Sequence, residues 1–405
     1  MVMKTRLATV LLLALVVSIW ASQAAWANTI TVDTTADQQN TDSQCSLREA
    51  IVNANADNQA GSTDCAAGSG QDTIFFDLGS SATITLSSQL DITDAEQLTI
   101  NGGAADITIS GNDSVRVFYV APGAKLRLNK LTVSDGLAEN FQKGGGVHNQ
   151  GGRLTIVKST ISDNSAFLGG GVGTETSGGT GGKVTVKNST FSGNSAGDSG
   201  GGLYILVATA SVSNSTFSKN SAPAGGGINN SNFSTLTVTN STFSENSASN
   251  NGGGITNGGT TLTVESSTFA ANSAFFGGSI RKVSDNSTTL RNTILASAGA
   301  NCAAGPGGGP PTDGGYNIDN GTSCGFSAST SKSTTDPKLD PLGLQNNGGR
   351  TQTIALQEGS PAIDQGNSFG LNRDQRGRSR PQDFAEIANA TGGDGSDIGA
   401  FEVQP

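Results

Sequence analysis

The sequence predicts an all-β fold, a right-handed single-stranded parallel β-helix, from three observations. The motif Ile/Phe-Ser-x-Asn-Ser-Ala, with Ala at the second place in one copy, recurs at Ile161, Phe191, Phe217, Phe243 and Phe269. Successive copies are separated by 30, 26, 26 and 26 residues. A fixed period in this range marks stacked units rather than a globule. Apolar pairs two residues apart precede each copy: Leu154/Ile156, Val184/Val186, Ala210/Val212, Leu236/Val238 and Leu262/Val264. That alternation is a strand with one buried face. Each unit also carries a Gly-Gly-Gly-apolar cluster, from Gly144–Val147 to Gly252–Ile255, with Gly277–Ile280 as a decayed sixth copy. Glycine there supplies corner geometry that a Cβ forbids. A helix pair would fit the length, but the Gly, Ser, Thr and Asn content argues against it.

If each unit makes one coil, equivalent positions lie about 4.8 Å apart on neighbouring parallel strands. Phe191, Phe217, Phe243 and Phe269 are then expected to form one interior file. Asn164, Asn194, Asn220, Asn246 and Asn272 are expected to form a ladder at a corner, each amide bonding the next. Both columns have a structural reason to exist, so function is sought in departures from the repeat.

Outside the repeat, residues 1–27 read as a secretion signal: Lys4 and Arg6, an apolar run over 7–20, then Ala25-Trp26-Ala27 as a cleavage site. The run is short for a membrane span. The remainder divides into a β-helix with its N-terminal cap (28–300), a Gly/Pro-rich disulfide loop (301–335) and an irregular C-terminal cap (336–405). In the N-terminal cap, Ser46 and Glu49 have capping-box spacing, which starts a short helix at Leu47 that closes the open solenoid end. A C-terminal segment of about 70 residues would bury little core alone, so it is expected to dock on the last coils. Four cysteines suggest two disulfides. Pairing stays open from sequence, with local closure, Cys45–Cys65 and Cys302–Cys324, the expected outcome.

The chain carries 23 basic and 33 acidic residues and a net charge of −10. With no basic cluster in the sequence, nucleic acid and anionic membrane are poor partners. No later apolar run would span a bilayer, and the chain stops at Val403-Gln404-Pro405 without an anchor tail.

The segment Cys45-Ser46-Leu47-Arg48-Glu49-Ala50-Ile51 resembles the one that names the CSLREA-domain proteins, a set of secreted bacterial proteins. The GGG-apolar and Phe-x-x-Asn units are similar to those of polymorphic outer-membrane proteins, whose passengers are β-helices. Asp336-Pro337-Lys338-Leu339, Asn347-Gly348-Gly349, Ser360-Pro361-Ala362-Ile363-Asp364 and Asp397-Ile398-Gly399-Ala400-Phe401-Glu402 resemble the choice-of-anchor Q domain. These resemblances imply a pectin-lyase-like β-helix outside the cell. Relatives of this kind commonly continue into a sorting tail or a membrane barrel; without one, free secretion or non-covalent surface attachment is expected.

Candidate chemistry is sparse. Two places after the aromatic stand Asp163, Gly193, Lys219, Glu245 and Ala271; four before it stand Val157, Lys187, Ser213, Thr239 and Glu265. No column holds two adjacent carboxylates, as acid–base cleavage of a glycan would need. Lys219 beside Glu245 is expected to be a cross-coil ion pair. His148, the single histidine, follows a Gly corner without an evident partner, and its solitude also argues against zinc. The stretch 174–182, with Glu175, is read as a four-residue insertion and Arg281-Lys282 as an exposed basic pair. Asp364 and the stretch 394–397 are the residues weighed for calcium, although they lack a recognised calcium loop. Aromatic platforms for sugars are expected to be few, because the phenylalanines are assigned to the core. The Thr155, Thr185, Ser211, Thr237, Thr263 column fits an ice-ordering face, but Val157, Lys187 and Glu265 interrupt its neighbour. The expectation is therefore a secreted or cell-surface scaffold that contacts an extracellular glycan or protein surface, without a cofactor and without catalysis. The alternative is a polysaccharide lyase or glycoside hydrolase acting on acidic polysaccharide.

Overall fold

The computed structural model describes residues 28–179 and 181–405; the expected secretion signal, residues 1–27, lies outside the described residues. Three parallel sheets run along most of the molecule, and a shorter fourth one, here the third in coil order, flanks its middle coils. In one representative coil, Arg153–Val157 belongs to the first sheet, Thr160–Ser162 to the second, Ser165–Leu168 to the third and Val172–Glu175 to the fourth. The chain then re-enters the first sheet one rung on, at Lys183–Lys187. Among the described residues the first sheet has 11 strands, the second 10, the third 5 and the fourth 9.

In the first, second and fourth sheets the register is residue for residue, whereas the third carries register shifts between its strands. Phe191 pairs with Phe217, Phe217 with Phe243 and Phe243 with Phe269. Their rings are fully buried and stacked with centroids 4.6, 5.0 and 4.6 Å apart. One rung of a parallel sheet is about 4.8 Å, so the ring spacing is set by the backbone. The alternating Leu, Val and Ile of the first sheet face the same interior, as Leu236 and Val238 do on Leu262 and Val264.

At the corner after the aromatic the asparagines bond in series. Asn164 Nδ2 donates to Asn194 Oδ1 at 2.9 Å, and the pattern repeats through Asn220 and Asn246 to Asn272. Gly136 N donates to Asn164 Oδ1 at one end, and Asn272 N donates to Ser297 Oγ at the other. Every buried amide in the series is therefore satisfied, which an interior polar group requires. A second ladder, absent from the sequence reading, runs along Ser159, Ser189, Ser215, Ser241 and Ser267, each backbone N–H donating to the next hydroxyl at 3.2–3.3 Å. At the opposite corner Gly200 has φ +70°, and a Cβ on Gly201 would lie 2.5 Å from both Gly226 O and Ser221 O. Glycine is needed there for conformation and for clearance.

The helix Leu47–Ala56 covers the first coil, with Ser46 as N-cap and both capping-box bonds to Glu49 formed. The Cys45–Cys65 and Cys302–Cys324 disulfides are present. The segment after residue 300 continues the coil: Cys302–Ala304, Thr312–Asp313 and Ile318–Asp319 extend the fourth, first and second sheets. Its Gly and Pro content lengthens the corners without ending the ladders. The C-terminal region folds back along the second sheet. Thr216 Oγ1 donates to Gln352 O, Thr242 Oγ1 to Gln375 Oε1, and Ala400 N to Thr268 Oγ1, at 2.6–3.0 Å.

Candidate functional site

Titratable side chains meet on the outer face of the fourth sheet. Tyr119, His148 and Gly173 are register partners on successive strands, as are Gln150 and Glu175. Strand residues two apart point to the same side, so all of these face outward together. His148 Nε2 lies 2.9 Å from Glu175 Oε1, while Glu175 Oε2 takes Lys143 Nζ at 3.1 Å. Tyr119 packs edge-on to the His148 ring with centroids 5.6 Å apart, and its hydroxyl donates to Gln150 Oε1. The His148 side chain is only 12% exposed. Burial pulls its pKa below the usual histidine value, against the pull of the Glu175 hydrogen bond, so the imidazole is neutral at pH 7.

This corrects the reading of His148 as a residue without a partner. The columns tabulated from the aromatic motif cannot show the contact, because His148 and Glu175 belong to the glycine-cluster frame and are 27 residues apart. Glu175 itself closes a strand rather than opening an insertion; the extra residues follow it. The vacancy at Gly173 is filled by Lys143, since a Cβ on Gly173 would lie 2.8 Å from Lys143 Cβ. Lys143 thereby ties the outer strand Leu137–Lys143 to the fourth sheet. Arg116, close by, spends its donors on Lys143 O, Gly144 O, Gln89 Oε1 and Gln142 Oε1.

Three further expectations change. Arg281 and Lys282 are buried, because their strand pairs with Cys302–Ala304 and Arg281 Nη1 donates to Ala304 O at 2.6 Å. The phenylalanines are not mostly core: of 16, four make the stacked file, whereas Phe141, Phe233 and Phe275 are 78%, 84% and 77% exposed. Phe233 and Phe275 sit between strands, and Phe141 lies in the outer strand Leu137–Lys143. Finally, basic residues absent as a run in the sequence are gathered by the register: Lys125, Arg153 and Lys183 stand on adjacent rungs of the first sheet. Lys219 and Glu245, by contrast, are an exposed pair at 3.9 Å.

The carboxylates weighed for calcium are engaged by the chain itself, apart from Asp364 Oδ1, which is buried without a partner. Asp394 accepts from Ser368 N and Oγ and from Ser396 N. Asp397 accepts from Asp364 N and Val403 N, and Asp364 from Phe384 N. Among the described residues no group of three or more His, Cys, Asp or Glu side chains is placed to hold a metal ion. Instead Glu402 bonds Arg380 Nε at 2.7 Å, both fully buried, and accepts from Asp397 N. Burial beside Glu402 pushes the Asp397 carboxyl up to about 7.

Four parallel ladders around one apolar and amide-lined interior define a right-handed parallel β-helix protein. The right handed beta helix region family matches residues 117–336, more than half of the chain, and the chain belongs to that family. A search of curated proteins found no match.

Proposed function

We propose that this protein is a secreted or cell-surface β-helix scaffold that contacts an extracellular glycan or protein surface without catalysing a reaction. The observation that carries this reading is the closure of the His148–Glu175–Lys143 group: each carboxylate oxygen of Glu175 already has a cationic or imidazole partner. A general acid or base must have an atom free to meet substrate; Glu175 keeps neither oxygen free, and its pairing with Lys143 clamps an outer strand. The two disulfides fit an oxidising compartment, as does the secretion signal read over residues 1–27. The CSLREA-like segment around Cys45 and the choice-of-anchor-Q-like segments from Asp336 to Glu402 fit the same setting. In this reading 28–300 is the scaffold, 301–335 its disulfide-closed end and 336–405 a docked cap.

Incubating the purified protein with uronic-acid polymers and following unsaturated and reducing ends tests it: no release is expected, and sustained turnover would reject the scaffold reading. One observation favours a second reading, a polysaccharide lyase or hydrolase on acidic polysaccharide: Glu175 orients His148 as a carboxylate orients a catalytic imidazole. Turnover abolished by His148→Ala would establish it.

A further inference from the structure

The first sheet carries a surface that its sequence does not announce. On the outward side of coils built from Gln97–Asn101 to Thr209–Ser213, three columns stand side by side. The first reads Gln97, Lys125, Arg153, Lys183, Thr209; the second Thr99, Arg127, Thr155, Thr185, Ser211; the third Asn101, Asn129, Val157, Lys187, Ser213. Five of these side chains are cations and none is a carboxylate. Arg153, Lys183 and Lys187 are exposed, and Lys125 and Arg127 half-buried. The corner that follows adds Lys130 and Lys158, which line a groove of about 350 Å³ together with Arg350 from the C-terminal region. Asp106 is the one acid lining that groove, and Asp94 and Glu96 lie before the first of the strands, near Lys125. None of the eight cations has a salt-bridge partner among the described residues.

On a chain of net charge −10 such a concentration is not a by-product of composition. Like charges stacked about one rung apart repel, so the arrangement costs stability unless an anion meets it. Three features indicate what kind of anion. The cations form a flat ribbon along the solenoid axis, one rung after another, which suits a thin extended chain with repeated negative groups. The middle column continues as hydroxyls, through Ser211, Thr237, Thr263 and Thr289, which are donors and acceptors for a hydroxyl-rich polymer, while Glu265 in the third column is neutralised by Arg291. Phe233, exposed, lines a smaller hollow with Lys183 and Thr209 at the sheet's edge and offers an apolar face there.

We propose that this face binds a linear polyanionic polysaccharide, its carboxylates or sulfates over the Lys125–Arg153–Lys183 column and the Lys130–Lys158–Arg350 groove, and its hydroxyls over the Ser/Thr file. This deepens the scaffold reading and rests on it for the protein's place outside the cell. A net acidic chain can meet a polyanion in this way, because the relevant quantity is the local field of one face.

The full chain is titrated with polygalacturonate, dextran sulfate, unsubstituted dextran and duplex DNA over a range of salt. Binding to one or both acidic polysaccharides is expected, with affinity falling as salt rises because counterions are released, and the preference between them tells carboxylate from sulfate. The exposed triple variant Arg153→Gln/Lys183→Gln/Lys187→Gln should weaken binding about tenfold or more, with circular dichroism unchanged. Lys158→Gln/Arg350→Gln should weaken it less, and Lys219→Gln should leave it as it was. Equal binding of unsubstituted dextran, tighter binding of DNA than of both polysaccharides, salt-independent affinity, or a folded triple variant that binds undiminished would each overturn the proposal. Release of chain ends in the same tubes, with binding retained, would uphold this proposal while rejecting the non-catalytic reading; absence of binding would reject this proposal alone.

Discussion

Between Ile161 and Asn272 the interior is a file of stacked rings with neutral amides and hydroxyls bonded along its corners. Between residues 364 and 402 the interior holds Asp364, Asp374, Asp397 and Glu402, with Arg380 paired to Glu402 and Arg376 to Asp374. The file and its ladders are built from neutral groups, whereas the interior of the cap is built on carboxylates and guanidinium groups. The first arrangement repeats because a residue packs on its own kind. The second cannot repeat, since stacking a carboxylate on its own kind would be repulsive, so each charge must find a different partner.

The contrast can be broken most severely in the coils. Phe217→Ala removes a ring packed on both faces, and a loss of about 3–5 kcal/mol is expected, read from denaturant unfolding. A comparable loss of about 3–5 kcal/mol is expected for Arg380→Met, which leaves Glu402 buried without its cation. That loss should be local: hydrogen exchange should rise across residues 364–402 and stay low along the phenylalanine file. Asn220→Ala strips the acceptor from Asn194 N and Nδ2, and about 1–3 kcal/mol for each orphaned donor is expected at most.

The cap should lose stability as pH rises. The Asp397 carboxyl is raised from the ordinary 3.8 to about 7, so the folded cap binds its proton more tightly than the unfolded chain. The stability it adds is full below the ordinary value and is lost as pH rises through about 7. Exchange protection of the cap should therefore fall between about pH 5 and about pH 8, by about 2–3 kcal/mol, while the phenylalanine file stays protected. The smallest effect belongs to Lys219→Ala, whose exposed partner Glu245 lies 3.9 Å away; a change below about 1 kcal/mol is expected in thermal unfolding.

The fold was readable because its determinants recur: Phe191, Phe217 and Phe243 occupy the same place in units of 26 residues, and one reading of the unit reads them all. The cap's contacts occur once each, so Asp397 near Glu402 carries no periodic signal. The His148–Glu175 pair was hidden for an intermediate reason. It is in register, but in the glycine-cluster frame, and Gly173 leaves the gap that Lys143 enters from another strand. The basic face was hidden by distance, its cations lying 28 and 30 residues apart along the column Lys125, Arg153, Lys183. In each case the missing knowledge was which residue stands above which.

That register is what core, ladder and basic face share, and paired cysteines measure it. Thr237 and Thr263 are direct partners on adjacent rungs of the first sheet, whereas Thr237 and Thr261 are one step diagonal. Under mild oxidation Thr237→Cys/Thr263→Cys should close an intramolecular disulfide, seen by peptide mass spectrometry, and Thr237→Cys/Thr261→Cys should remain largely reduced. Preferential closure of the diagonal pair would contradict the register, and with it the assembly of the basic face.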